Sequence, residues 1–321
     1  MLAVLLVSAA AAYLEAIVRL REKLHPPLEN LFPKEIGRFD EKLGWSLRPL
    51  AVGFSSRTGR AIEYRINSKG LRDAETPYRK PAGTFRIVLV GTSKAFGAGV
   101  PLSKHYSILL EGLFKNVEVI NLSVGGFGVD QQLLYLREEG FRYEPDLVLL
   151  YAAKDACHML TLSWGKAKPR FIPADGKLTL VNSPVPRPQV AASRRQRPSQ
   201  WLREHSRVFR FAGDFLNGRD DSQEDPTNLD SAAATAALRN AIILEMRSEA
   251  SRHRARFAAF AHVRDMCLPI RKNGIPCLPI SQTLTLPGNL DHVSEEGNLI
   301  VAHELVAFLK KEALVPQGHW R

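Results

Sequence analysis

The sequence predicts an α/β protein, a three-layer α/β/α sandwich around a five-stranded, mostly parallel sheet, with an apolar helix at the N-terminus. Five short apolar runs, at residues 85–90, 117–121, 146–151, 257–263 and 275–280, are bounded by Gly, Pro or charge and read as strands. Helical stretches at 104–114, 130–139, 231–254 and 295–312 separate or follow them. Strands that are apolar along their whole length have both faces covered, which is the arrangement of a parallel sheet between two helix layers. A length of 321 residues with 45% apolar and 24% charged content is enough for one large domain with appendages.

At the N-terminus, Leu2 to Leu14 is uninterrupted apolar or small residues; Glu15 breaks the run and Ala16-Ile17-Val18 carries it on to Arg19. Thirteen residues of helix span about 20 Å, short of a hydrocarbon core of about 30 Å. Residues 1–25 therefore read as a signal-peptide core or a marginal anchor, and the lack of a small-x-small cleavage site favours a retained, single anchor. Arg19, Arg21 and Lys23 follow the run and would hold the body on the cytoplasmic side, whereas a basic segment upstream would reverse that orientation.

Residues 26–83 are expected to be a lead-in that packs on the main domain, 84–321. Its turn-rich start, His25-Pro26-Pro27 and Phe32-Pro33, precedes two extended pieces, Gly44 to Pro49 and Ile62 to Asn67. Within the main domain, Asp130 and Ser294 read as N-caps of the helices that follow them. Residues 161–230, rich in Pro, Arg, Ser and Asp, read as an insertion whose helix, Trp201 to Leu216, uses Trp201, Phe209 and Phe211 to anchor on the core.

The formal charge of +11 favours an anionic neighbour such as phospholipid headgroups or an acidic glycan. Part of it is concentrated in the insertion, where Arg187, Arg194, Arg195, Arg197, Arg203, Arg207 and Arg210 face only Glu204. Without interleaved aromatics or a reading module, no nucleic acid is expected as a partner. Cys157, Cys267 and Cys277 have no metal-type spacing, and no metal or cofactor is expected. A Cys267–Cys277 bridge is compatible with the sequence separation, but geometry decides it.

The strand 85–90 runs into Gly91-Thr92-Ser93-Lys94-Ala95-Phe96-Gly97-Ala98-Gly99-Val100, and in an open parallel sheet reactive groups collect at the carboxyl ends of the strands. Gly125-Gly126-Phe127-Gly128 follows the second strand, Lys154-Asp155 the third, and Leu290-Asp291-His292 precedes the last helix. His105 and His158 read as satisfied or exposed histidines. With Leu43-Gly44-Trp45-Ser46-Leu47-Arg48-Pro49, Glu63 to Arg72, and Asn121 to Gln132, these blocks make the chain, from about Leu43 to Leu309, resemble the SGNH or GDSL hydrolases, membrane-anchored bacterial type.

The resemblance implies a serine ester hydrolase. Ser93 attacks an ester carbonyl, and His292 removes the serine proton and later protonates the leaving alcohol. The oxyanion donors are the serine amide, the amide of Gly126 and the third-block side chain. Three blocks depart from the family's pattern: Thr92 stands where it has aspartate, Lys154-Asp155 where it has Asn-Asp, and Leu290 and Asn289 where it places the aspartate before the histidine. Lys154 is then a charged substitute donor, and Asn289 or the adjacent Asp291 the group that orients His292. The expected substrate is an acylated small molecule or an envelope glycan. The expected location is a membrane-anchored, extracytoplasmic domain. The departures also admit a catalytically impaired descendant that binds a glycan or a protein in the same cleft. A nucleotide site is disfavoured, because the loop lacks a Gly-Lys-Ser/Thr ending.

Overall fold

The structure, a computed structural model, describes residues 12–21, 32–55, 61–154, 167–174, 176–187, 206, 232–281, 284–286 and 292–321. Residues 12–21 form a helix, α1. No helix among the described residues is long and apolar enough to cross a membrane. The lead-in folds as two hairpins, β1 (Gly37–Asp40) with β2 (Gly44–Leu47) and β3 (Val52–Ser55) with β4 (Ile62–Arg65).

The sheet is wholly parallel. Its strands are β5 (Phe85–Val90), β6 (Val117–Asn121), β7 (Leu147–Tyr151), β10 (Arg256–Ala261) and β11 (Cys277–Pro279), in the order β11-β10-β7-β5-β6. Every residue of β5 and β7 is buried, Arg86 of β5 included, as strands covered on both faces require. The helices are α2 (Ser93–Phe96), α3 (Tyr106–Leu113), α4 (Val129–Glu138), α5 (Ala232–Arg252), α6 (Arg264–Lys272) and α7 (Glu295–Lys311). Two packed pairs, α3 with α7 and α4 with α5, form the layers that flank the sheet. The three-layer sandwich read from the sequence is the observed fold.

Details differ from the reading. The fourth strand ends at Ala261, so His262 lies beyond the sheet rather than inside a strand. The helix α6 was not foreseen, because Pro269 interrupts its pattern. Within the expected insertion, β8 (Arg170–Ala174) and β9 (Lys177–Val181) form an unforeseen antiparallel hairpin. The expected helix from Trp201 to Leu216, with Phe209 and Phe211, falls outside the described residues.

Asp130 is not the N-cap of α4. Gly128 holds that position, and its N–H donates to the Gln131 side chain at 3.0 Å. Asp130 instead lies in the first turn, completely buried and paired with the equally buried Lys168 at 2.7 Å. Full desolvation makes a charged partner worth more to this carboxylate than a backbone N–H, and loss of either partner would strand a buried charge. Ser294 does cap α7, its hydroxyl accepting from Gly297 N–H at 3.1 Å.

The lead-in is fastened at both ends of β5. At the amino end, the fully buried Arg86 donates to Glu118 at 2.6 Å and to the carbonyls of Pro77 and Tyr143, each at 2.9 Å. At the carboxyl end the fastening residue is Arg72, which reaches the serine turn.

Candidate active site

Ser93 is the first residue of α2, half-buried at the carboxyl end of β5. The turn of helix ends at Gly97, whose φ of 79° is in the left-handed region. Thr92 is buried, yet its hydroxyl neither caps α2 nor meets any hydrogen-bond partner.

Two buried side chains hold this turn from outside. Arg72 donates to the carbonyls of Phe96 at 3.0 Å, Gly97 at 2.5 Å and Val100 at 2.6 Å, with its guanidinium 4.2 Å from the Tyr64 ring centroid. Burial lowers its pKa to about 10, so it remains charged at neutral pH. Asn121, at the end of β6, donates to Ala95 O at 2.8 Å and accepts from Ser123 N–H at 3.0 Å. The Asn121 N–H in turn donates to the buried Asp73 at 2.8 Å. Burial, only partly opposed by that bond, raises the Asp73 pKa to about 7. The sequence reading singled out none of these three as functional, since only burial distinguishes them from surface polar residues.

The glycines after β6 have architectural reasons to be glycine. A Cβ on Gly125 would lie 2.3 Å from the Phe32 ring, and Gly126 has a φ of 80°. Trp45 covers the same loop, donating its indole N–H to Gly125 O at 3.1 Å. Two lead-in aromatics thus wall the loop from which the Gly126 amide would act.

Lys154 follows β7 and is exposed; Asp155 lies outside the described residues. His292 is 5% exposed and directly precedes the Ser294 cap. Its carbonyl accepts from Leu286 N–H at 2.8 Å, and Ser294 N–H donates to Leu284 O at 2.8 Å, around a bridge between Thr285 and Val293. Asn298 in α7 accepts from Tyr106 N–H at 3.1 Å, tying this segment to α3. Asn289 and Asp291, the proposed orienting residues, lie outside the described residues. Among the described residues no hydrogen bond joins Ser93 to His292 Nε2. The structure brings Ser93, Gly126 and Lys154 to one edge of the sheet, as their strand ends dictate.

His262, just past β10 at that same edge, was missed, although the rule that singles out Ser93 also reaches it. Burial and, next, the charge of Lys94 pull its pKa down to about 4, so it is neutral at neutral pH. His105 is a structural residue: it caps α3, accepting from Ser107 N–H at 3.3 Å, and burial lowers its pKa to about 3. His158 lies outside the described residues.

The disulfide question is answered by geometry. Cys267 in α6 and Cys277 in β11 are bonded, with their Cα atoms 5.5 Å apart.

No protein-family model and no curated protein matches the chain. Several solved structures are similar to it in fold. A psychrotrophic esterase from Pseudoalteromonas sp. is 11% identical, with 71% of this chain and 98% of that one covered and a TM-score of 0.37. A GDSL-like lipase from Bacteroides thetaiotaomicron is 13% identical over 73% of this chain and 92% of that one, with a TM-score of 0.37. A carbohydrate esterase whose active site "displays divergent catalytic and non-catalytic binding functions" is 12% identical over 74% and 67%, with a TM-score of 0.40. At these identities and scores the chemistry rests on the residues of this chain, and the likeness remains one of shape.

Proposed function

We propose that the protein is a serine ester hydrolase acting on acyl or acetyl esters, with Ser93 as nucleophile and His292 as base. The observation that carries the reading is Ser93 itself: a half-buried serine at the carboxyl end of β5, in a turn held by Arg72 and Asn121. In the first half-reaction the Ser93 hydroxyl adds to the ester carbonyl as His292 takes its proton, and collapse expels the alcohol, which takes that proton. Water, deprotonated by the same imidazole, then releases the acid and frees the serine. Negative charge on the carbonyl oxygen meets the backbone amides of Ser93 and Gly126 and the ammonium of Lys154; Asn289 or Asp291 orients His292. Removal of one such donor typically costs a factor of about 100 to 1,000 in rate, the scale expected for Lys154→Ala.

The expected substrates are esters of an envelope glycan, reached from a membrane-proximal position outside the cytoplasm. The Cys267–Cys277 disulfide supports that location, since such bonds persist in oxidising compartments. The test is covalent labelling by a fluorophosphonate, read by mass spectrometry. A Ser93 adduct that is absent from Ser93→Ala is the expected result, and a folded protein that takes no label counts against the reading.

The unbonded, buried Thr92 hydroxyl favours a second reading, a descendant that binds an acylated ligand without turnover. Under it, the combination Thr92→Asp, Lys154→Asn and Leu290→Asp gains an esterase activity that the unmodified chain lacks.

A further inference from the structure

Three nitrogen-bearing side chains surround the carboxyl end of β7. This strand lies between β5 and β10, so the residues that leave the three ends are neighbours, and adjacent strands are about 4.8 Å apart. Lys94 follows Ser93 after β5, Lys154 follows β7, and His262 follows β10. Lys94 is half-buried and Lys154 exposed. Among the described residues, neither ammonium group has an ion-pair or hydrogen-bond partner. Three lysines elsewhere, Lys42, Lys80 and Lys168, do meet a carboxylate, at 2.6 to 2.7 Å.

The charge of Lys94 is felt at His262, so this lysine acts across the end of β7, where Lys154 emerges. His262 is neutral and supplies no counter-charge. Two like charges therefore leave neighbouring strand ends on the edge that carries Ser93, with no ion-pair partner among the described residues, an arrangement that is repulsive while empty and is relieved by an anion. We propose that Lys94 and Lys154 seat an anionic group of the substrate beside Ser93, the three N–H donors of Lys154 serving both that anion and the carbonyl oxygen, so that the ester taken by this site carries a carboxylate or phosphate near the acyl group presented to the serine. The proposal rests on the hydrolase reading and names its substrate class. A net charge of +11 further favours encounter with such a substrate.

Binding to Ser93→Ala, which holds no nucleophile, separates recognition from turnover. Four matched phenyl acetates serve as probes in calorimetric titration: 4-acetoxybenzoate, 4-acetoxyphenyl phosphate, neutral 4-acetoxybenzamide and (4-acetoxyphenyl)trimethylammonium. The anions should bind roughly tenfold tighter than the amide, the scale of two partly exposed charge pairs, and the cation most weakly. Which anion binds more tightly identifies carboxylate or phosphate as the source of the charge. Raising ionic strength from about 0.01 to about 0.15 M shortens the screening length from about 30 to about 8 Å and should shrink the preference.

Lys94→Gln and Lys154→Gln should each lower the ratio of anion to amide affinity, and the pair together should abolish it. Lys94→Arg and Lys154→Arg, which keep the charge, should keep the preference. Equal affinity for anion and amide, a preference that survives the double glutamine variant, or no binding of either anion at millimolar concentration would overturn the proposal. Turnover of the same esters by the unmodified protein reports separately on the hydrolase reading. Selective anion binding without turnover removes that reading alone, and turnover without charge preference removes this one alone.

Discussion

The two halves of the proposed site, Ser93 and His292, are built by different means. The Ser93 turn is held by buried side chains from distant sequence, with Arg72 on three of its carbonyls and Asn121 bonded to a fourth and backed by Asp73. His292 is held mainly by backbone pairing with residues close in sequence, Leu284 to Leu286, and by the start of its own helix. Among the described residues, the bond from Tyr106 N–H to Asn298 ties the helix that follows it to α3. The contrast teaches that the position of Ser93 depends on the lead-in, whereas that of His292 depends on local geometry. Damage to the lead-in should therefore disable the serine first.

The largest effect that tests this contrast is expected from Arg72→Ala. It removes a buried cation and leaves three buried carbonyls unpaired, at a cost of about 3–5 kcal/mol in denaturant unfolding. Labelling of Ser93 should fall even at temperatures where the variant remains folded. Unchanged labelling would break the link between the lead-in and the nucleophile.

Asp73 gives the next effect, and it depends on pH. Its folded pKa of about 7 lies above the ordinary value of 3.8, so its contribution to stability is complete below about pH 4 and is lost as pH rises through 7. The difference in unfolding free energy between wild type and Asp73→Asn should thus decline by a few kcal/mol over that interval. His105 and His262 act in the opposite sense. Their depressed pKa values make them stabilising above their ordinary value near 6.5, and that contribution is lost as pH falls towards 4 and 3. A flat difference between wild type and Asp73→Asn would show that the buried carboxyl is ionised throughout.

On the histidine side, Asn298→Ala should cost about 2 kcal/mol, since the buried side chain bonds both Tyr106 N–H and Ser294 O. The smallest expected change is about 1 kcal/mol for Ser294→Ala, the usual cost of a lost N-cap. Both should slow labelling less than Arg72→Ala at matched stability. If either slows it more, the base rather than the nucleophile is the less robust partner.

Much of the fold was legible because β7 is apolar along its entire length and β5 at every position but Arg86. The helix α6 escaped because Pro269 and its charged ends obscure the periodicity, and the hairpin β8–β9 because Pro173 interrupts its first strand. Ser93 was legible from its place after a strand. Arg72 lay in a recognised block, but its role was invisible, because an arginine in a turn gives no sign that it will be 1% exposed. The misplacement of Asp130 has the same origin. Its partner, Lys168, lies 38 residues away, and nothing local announces the pair.

The ring of Phe32 occupies the volume that any side chain at position 125 would need. Glycine there is consequently an inheritance of shape. A lineage that abandoned catalysis would retain it for as long as it retained the aromatic lid, so its persistence among relatives would trace the architecture. Position 154 is exposed and carries the proposed charged donor, so it is where a record of gained or lost chemistry should be written.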